Sequence, residues 1–74
     1  MKIKILLQNV LDYNGVSQNE LARRLGMSSS TINDICKSNV KLINLETFAK
    51  VAEMFDIKDI NELITLVDDS DEGN

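Results

Sequence analysis

Apolar side chains recur at helical spacing along most of this chain. Ile3, Leu6, Leu7 and Val10 would share one face of a helix over about Lys2–Asn14, with Leu11 beside them. Asn14-Gly15 should end it, because glycine just past a last turn accepts the left-handed conformation. Leu21, Ala22 and Leu25 mark a second helix, and Ile32, Ile35 and Cys36 a third. Leu45, Phe48, Ala49, Val51, Ala52 and Phe55 give a fourth helix a wide apolar face suited to a central position. Ile60, Leu63, Ile64 and Val67 suggest a short fifth helix starting near Asp59, with Glu62 three residues on. The spacing therefore predicts an all-α fold of five helices and no strand, forming one domain over residues 1–67. Residues 68–74 hold four acids and no apolar side chain, so a disordered acidic tail is expected there.

The polar residues between these stripes mark helix starts. Ser17 with Glu20 has capping-box spacing, in which the hydroxyl and the carboxylate each satisfy an unpaired backbone N–H. Ser28 can open the third helix and Asn44 the fourth in the same way. Gly26 permits the positive φ of a tight turn, and Ala22 is small where two helices would cross closely. The loop Ser38 to Asn44 has neither proline nor glycine, which makes Asn39 its candidate for a left-handed residue. Two helices packed steeply around Gly26 leave the outer face of the second one free. Ser29, Ser30, Asn33 and Asp34 lie on that face, all short and polar.

Composition narrows the chemistry. Seventy-four residues can bury only a small core. One cysteine rules out an intrachain disulfide, and with no histidine it leaves nearly no familiar zinc or iron site. No cofactor is expected. The start, with Lys2 and Lys4 before an apolar run cut by Asp12 and Asn14, lacks the unbroken core of a signal peptide, so a cytoplasmic protein is expected. The net charge of −4 divides unevenly. Residues 1–50 carry seven basic against four acidic side chains, or +3, while residues 51–74 carry one against eight, or −7. Distribution sets the field over a surface as much as the total does, so the front half is the side suited to a polyanion.

From about Ile3 to Val67 the chain resembles the lambdoid repressor and Cro type of helix-turn-helix, also called the XRE type. The resemblance rests on Ser17-Gln18-Asn19-Glu20-Leu21-Ala22, then Leu25-Gly26-Met27-Ser28, then Thr31-Ile32 and Ile35, then Asn44-Leu45-Glu46-Thr47-Phe48 and Ile60-Asn61-Glu62-Leu63. It implies a lambda-repressor-like domain whose third helix enters the major groove of double-stranded operator DNA. By the same resemblance Gln18, Ser28, Lys37, Asn39 and Lys41 match phosphate-binding positions. Ser29, Ser30 and Asp34 match base-reading positions, with Asn33 nearby. Where the family often pairs a buried arginine in the first helix with a glutamate late in the third, this chain has Leu11 and Cys36. An apolar substitute of this kind avoids desolvating two charges. Where the family usually has glycine after the third helix, this chain has Ser38.

The reading residues include no arginine or glutamine. Serine contacts several bases, asparagine can pair bidentately with adenine, and aspartate can accept from cytosine N4. Modest affinity per monomer follows, so a homodimer spanning half-sites about 34 Å apart is expected. The fifth-helix residues Ile60, Leu63, Ile64 and Val67 are its expected interface, against the alternative that all four face the monomer's own core. Three functions compete. A sequence-specific transcriptional regulator, a repressor in the first instance, accords with Gln18, the caps and the +3 front half. A protein-interaction module on the same fold, an antitoxin or anti-repressor, accords with the acidic back half. An enzyme is disfavoured, because the chain offers no nucleophile–base pair.

Overall fold

The computed structural model describes residues 1–68, so most of the expected acidic tail, residues 69–74, lies outside the described residues. The chain runs β1 (Lys2–Ile5), α1 (Leu7–Asn14), α2 (Gln18–Leu25), α3 (Ser29–Cys36), α4 (Leu45–Met54), a 3-10 turn (Ile60–Glu62) and β2 (Ile64–Val67). Among the described residues four α-helices replace the five expected, and the segments before α1 and after the 3-10 turn form strands. β1 and β2 pair antiparallel, with Lys2 opposite Val67, Ile3 opposite Leu66, Lys4 opposite Thr65 and Ile5 opposite Ile64.

The first helix is thus shorter than its stripe suggested. Lys2-Ile3-Lys4-Ile5 alternates charged and β-branched residues, which suits a strand as well as a helical stripe. At the other end Ile64-Thr65-Leu66-Val67 is β-branched at three of four positions. Each segment supplies the other's partner, and pairing decides the ambiguity. Leu63, just before β2, is 1 % exposed and belongs to the core. That removes it from the apolar surface that a fifth helix would have presented.

The core joins Ile5, Leu7, Val10 and Leu11 from the N-terminal third to Leu21, Ala22, Ile32 and Ile35 of the two central helices. Phe48, Val51 and Leu63 close it from the other side. Cys36 packs against its margin and Leu11 is fully buried, so the pair of positions is apolar as expected. The α4 stripe is narrower than its sequence: Phe48 and Val51 are buried, whereas Leu45 is 81 % exposed.

Local signals hold at the helix starts marked by Ser17, Ser28 and Asn44. Ser17 Oγ accepts from Glu20 N at 3.1 Å, Ser28 Oγ from Thr31 N at 3.2 Å, and Asn44 Oδ1 from Glu46 N and Thr47 N at 2.9 and 3.3 Å. The reciprocal half of the first capping box is replaced, because Glu20 turns its carboxylate to Arg24 one turn on. Gly26, at φ 69°, ends α2 while Met27 N–H reaches back to Ala22 O at 2.9 Å.

The left-handed residue after α3 is Ser38, at φ 58°, rather than Asn39. Its side chain explains the choice. Ser38 Oγ accepts from Ile5 N at 2.8 Å, tying β1 to the turn that ends α3. A left-handed L-residue costs roughly 1–2 kcal/mol, and a glycine here would avoid that but could not hold the strand. Ser38→Ala keeps the strain and strands the Ile5 N–H, so it should lower stability by about 1–3 kcal/mol. Ser38→Gly should be the milder loss by about 1 kcal/mol. Urea unfolding of the two variants checks the order; equal losses would contradict it.

Candidate nucleic-acid interface

α2 and α3 are eight residues each, joined through Gly26, Met27 and Ser28. Leu21 and Ala22 from one and Ile32 and Ile35 from the other are buried in the common core. At 100° per residue, burying Ile32 and Ile35 turns Ser29, Ser30, Asn33, Asp34 and Lys37 outward over an arc of roughly 140°. Ser29, Ser30, Asp34 and Lys37 are exposed, and Asn33 is half-buried. Among the described residues the side chains of Ser29, Ser30, Asp34 and Lys37 make no hydrogen bond or ion pair, so their polar groups are open to a ligand.

Asn33 is held differently. Its Nδ2 donates to Gln18 Oε1 at 3.1 Å, Gln18 Nε2 donates to Gln8 Oε1 at 2.6 Å, and Gln8 Nε2 donates to Asp12 Oδ1 at 2.8 Å. A chain of amides thus runs from α3 across the first turn of α2 to α1. Each amide nitrogen carries two hydrogens, so the chain uses only part of each group. Gln18 keeps one N–H, and Asn33 keeps one N–H and its carbonyl oxygen. Those remaining groups are what a phosphate and an adenine edge respectively require. The two expected roles of Gln18 and Asn33 are therefore compatible with the bond between them.

Gln8 and Asp12 were not among the residues the sequence singled out. Their i, i+4 spacing is legible, but their reach to Gln18 depends on how α1 lies against α2. The other expected residues surround this centre. Ser28 caps α3, with its hydroxyl also 2.8 Å from Thr31 Oγ1. Lys37 stands at the C-terminal end of α3, where a cation is favoured by the helix dipole. Asn39 donates its backbone N–H to Asp34 O at 2.9 Å and leaves its side chain exposed, and Lys41 is exposed in the following loop. Arg24 is taken up by Glu20 and Lys50 by Glu46 at 3.5 Å, whereas Arg23 has no ion pair among the described residues.

Other chemistries find little here. Among the described residues no group of three His, Cys, Asp or Glu side chains converges as a metal would need. No helix among them is long and apolar enough to cross a membrane. Burial, and secondarily the Asp12 carboxylate, push the Cys36 thiol above its ordinary range, the opposite of what a nucleophilic cysteine requires.

A family model of the Cro/C1-type helix-turn-helix DNA-binding domain matches residues 6–69. The fold is also similar to a crystal structure from Bacteroides fragilis described as that of a candidate DNA-binding protein. The two superpose with a TM-score of 0.73 at 30 % sequence identity, over 86 % of this chain and all of the other. No curated protein sequence matches significantly.

The shifted thiol yields a direct check. Burial favours the neutral thiol, so the folded protein keeps its proton at pH values where the unfolded chain has released it. Alkylation of Cys36 at pH 8 should be several-fold slower in the folded protein than in urea. By linkage, this group's contribution to stability falls as pH rises past the unfolded thiol's pKa. A folded-state rate equal to the unfolded one would contradict the burial.

Proposed function

Since the chain belongs to the Cro/C1-type family of helix-turn-helix DNA-binding domains, we propose that it is a sequence-specific DNA-binding regulator. In this reading it is a repressor that reads operator half-sites through α3 as a homodimer. The observation that carries the reading is the outer arc of α3, where unpartnered polar groups stand beside an amide chain that aims Gln18 and Asn33. Ser29, Ser30, Asn33 and Asp34 face the base edges. Gln18, Ser28, Lys37, Asn39 and Lys41 hold the backbone on either side.

Each assignment has a physical basis. Gln18 is the first residue of α2 and Ser28 caps α3, so both sit where unpaired helix N–H groups favour an anion. Lys37 and Lys41 follow the reading helix without a carboxylate partner among the described residues, which leaves both charges for phosphates. Asp34 would oppose any phosphate it approached. Its place is therefore on a base edge, where cytosine N4 donates.

Binding selections on random duplexes followed by salt titration test this. Affinity for the selected duplex should fall steeply with salt as counterions are released. Lys41→Ala should weaken all duplexes alike and reduce the salt slope by about 1. Asn33→Ala or Ser29→Ala should instead shift the preferred base at one position, by about 1–3 kcal/mol. If every α3 variant keeps the wild-type base preference, α3 is not the reading element. A protein that selects no duplex at all would favour the protein-interaction module instead.

A further inference from the structure

The amide chain that links α3 to α1 has a direction, and one end of it sets that direction. Asn33 donates to Gln18 at 3.1 Å, Gln18 to Gln8 at 2.6 Å and Gln8 to Asp12 at 2.8 Å, nitrogen to oxygen at every step. A primary amide turned over exchanges its NH2 group and its carbonyl oxygen, so each of the three amides alone can face either way. Asp12 has no such freedom. A carboxylate only accepts, so Gln8 must offer it nitrogen. Gln8 is left with its oxygen for Gln18, which offers nitrogen in turn and leaves its own oxygen for Asn33. Asn33 therefore spends one N–H inward and keeps its carbonyl oxygen free.

Reversal is penalised at every junction. Turning the whole chain over sets the Gln8 oxygen against the Asp12 carboxylate, two acceptors with no proton between them. Turning part of it creates the same mismatch at Gln8–Gln18 or at Gln18–Asn33. Gln8, Gln18 and Asn33 are all half-buried, which limits the water able to relieve such a mismatch. The consequence falls on base choice. Adenine presents an acceptor and a donor in the major groove, N7 and the N6 amino group, whereas guanine presents two acceptors, N7 and O6. In the observed direction Asn33 has an oxygen and an N–H to offer, which matches adenine. In the reverse direction its oxygen would be spent on Gln18 and both its hydrogens would be free, which matches guanine.

We propose that Asp12, acting through Gln8 and Gln18, fixes the direction of this chain and so makes Asn33 select adenine over guanine, a role that rests on α3 being the reading element. Asp12 and Gln8 are positioning residues, since both act through Gln18 and neither contacts the base. Asp12→Asn ends the chain in an amide that can accept from Gln8 or donate to it, so both directions become available. Adding Gln8→Glu puts an acceptor-only group next to Gln18 and restores the single direction, with the net charge of the wild-type chain.

Two measurements on the wild type, Asp12→Asn and the double variant test this. In the free protein, exchange of the Asn33 side-chain NH2 hydrogens with water, read by NMR, should be several-fold faster in Asp12→Asn and slow again in the double variant. On selected duplexes that differ only at the base pair Asn33 reads, the wild type should favour adenine over guanine by about fivefold or more. That ratio should fall toward one in Asp12→Asn and recover in the double variant; a change of charge alone would move both duplexes together. An Asp12→Asn variant with wild-type Asn33 exchange overturns the proposal and leaves the role of α3 standing, because no DNA is present. A variant that exchanges faster yet keeps the wild-type ratio overturns it, as does a double variant that recovers neither. Failure of the α3 reading looks different: Asn33→Ala then leaves base preference unchanged, which overturns the selection of adenine while the exchange difference persists.

Discussion

The close crossing of α2 and α3 is the constraint on which everything else rests. Two helices of eight residues are each too short to be stable alone, so their stability comes from the face they share. Ala22 is small and buried, Leu21 and Ile32 are fully buried in the core the two helices share, and the left-handed Gly26 lets the chain reverse in three residues. Fixing that crossing also fixes which side of α3 faces outward. The arc from Ser29 to Lys37 turns outward because Ile32 and Ile35 are buried on the opposite side of α3.

The amide chain from Asn33 through Gln18 to Gln8 and Asp12 converts that packing into aim. A glutamine at a helix start has several rotamers, and holding one of them in advance lowers the entropy lost on binding a phosphate. Both ends of the chain sit on helices anchored in the core by Leu7, Leu11 and Ile32. Gln8 thereby holds the Gln18 side chain from α1.

The central half of the fold was legible because its signals are local. Ser17, Gly26, Ser28 and Asn44 act within three or four residues, and each performs its expected capping or turning role. The ends were not legible, because their pattern satisfies two periods at once. Ile3, Leu6, Leu7 and Val10 fit a helix, while Lys2 to Ile5 also alternates as a strand. Only the presence of Ile64 to Val67 at the other end of the chain decides between them. The left-handed Ser38 has the same origin, since its benefit is a bond to Ile5 across 33 residues. At the candidate site, the residue types and their common face could be read from helical spacing. The bond joining Asn33 to Gln18 could not, because it depends on the crossing of α2 and α3.

The central claim is that α3 and the start of α2 form one surface for DNA. Amide chemical-shift mapping, with a duplex obtained by selection added to labelled protein, tests it most directly. The account predicts that the backbone amides of Ser28 to Asp34 and the side-chain amides of Gln18 and Asn33 shift most. Shifts centred on α4 or on the β1–β2 ribbon, with the Gln18 and Asn33 side chains unmoved, would contradict it.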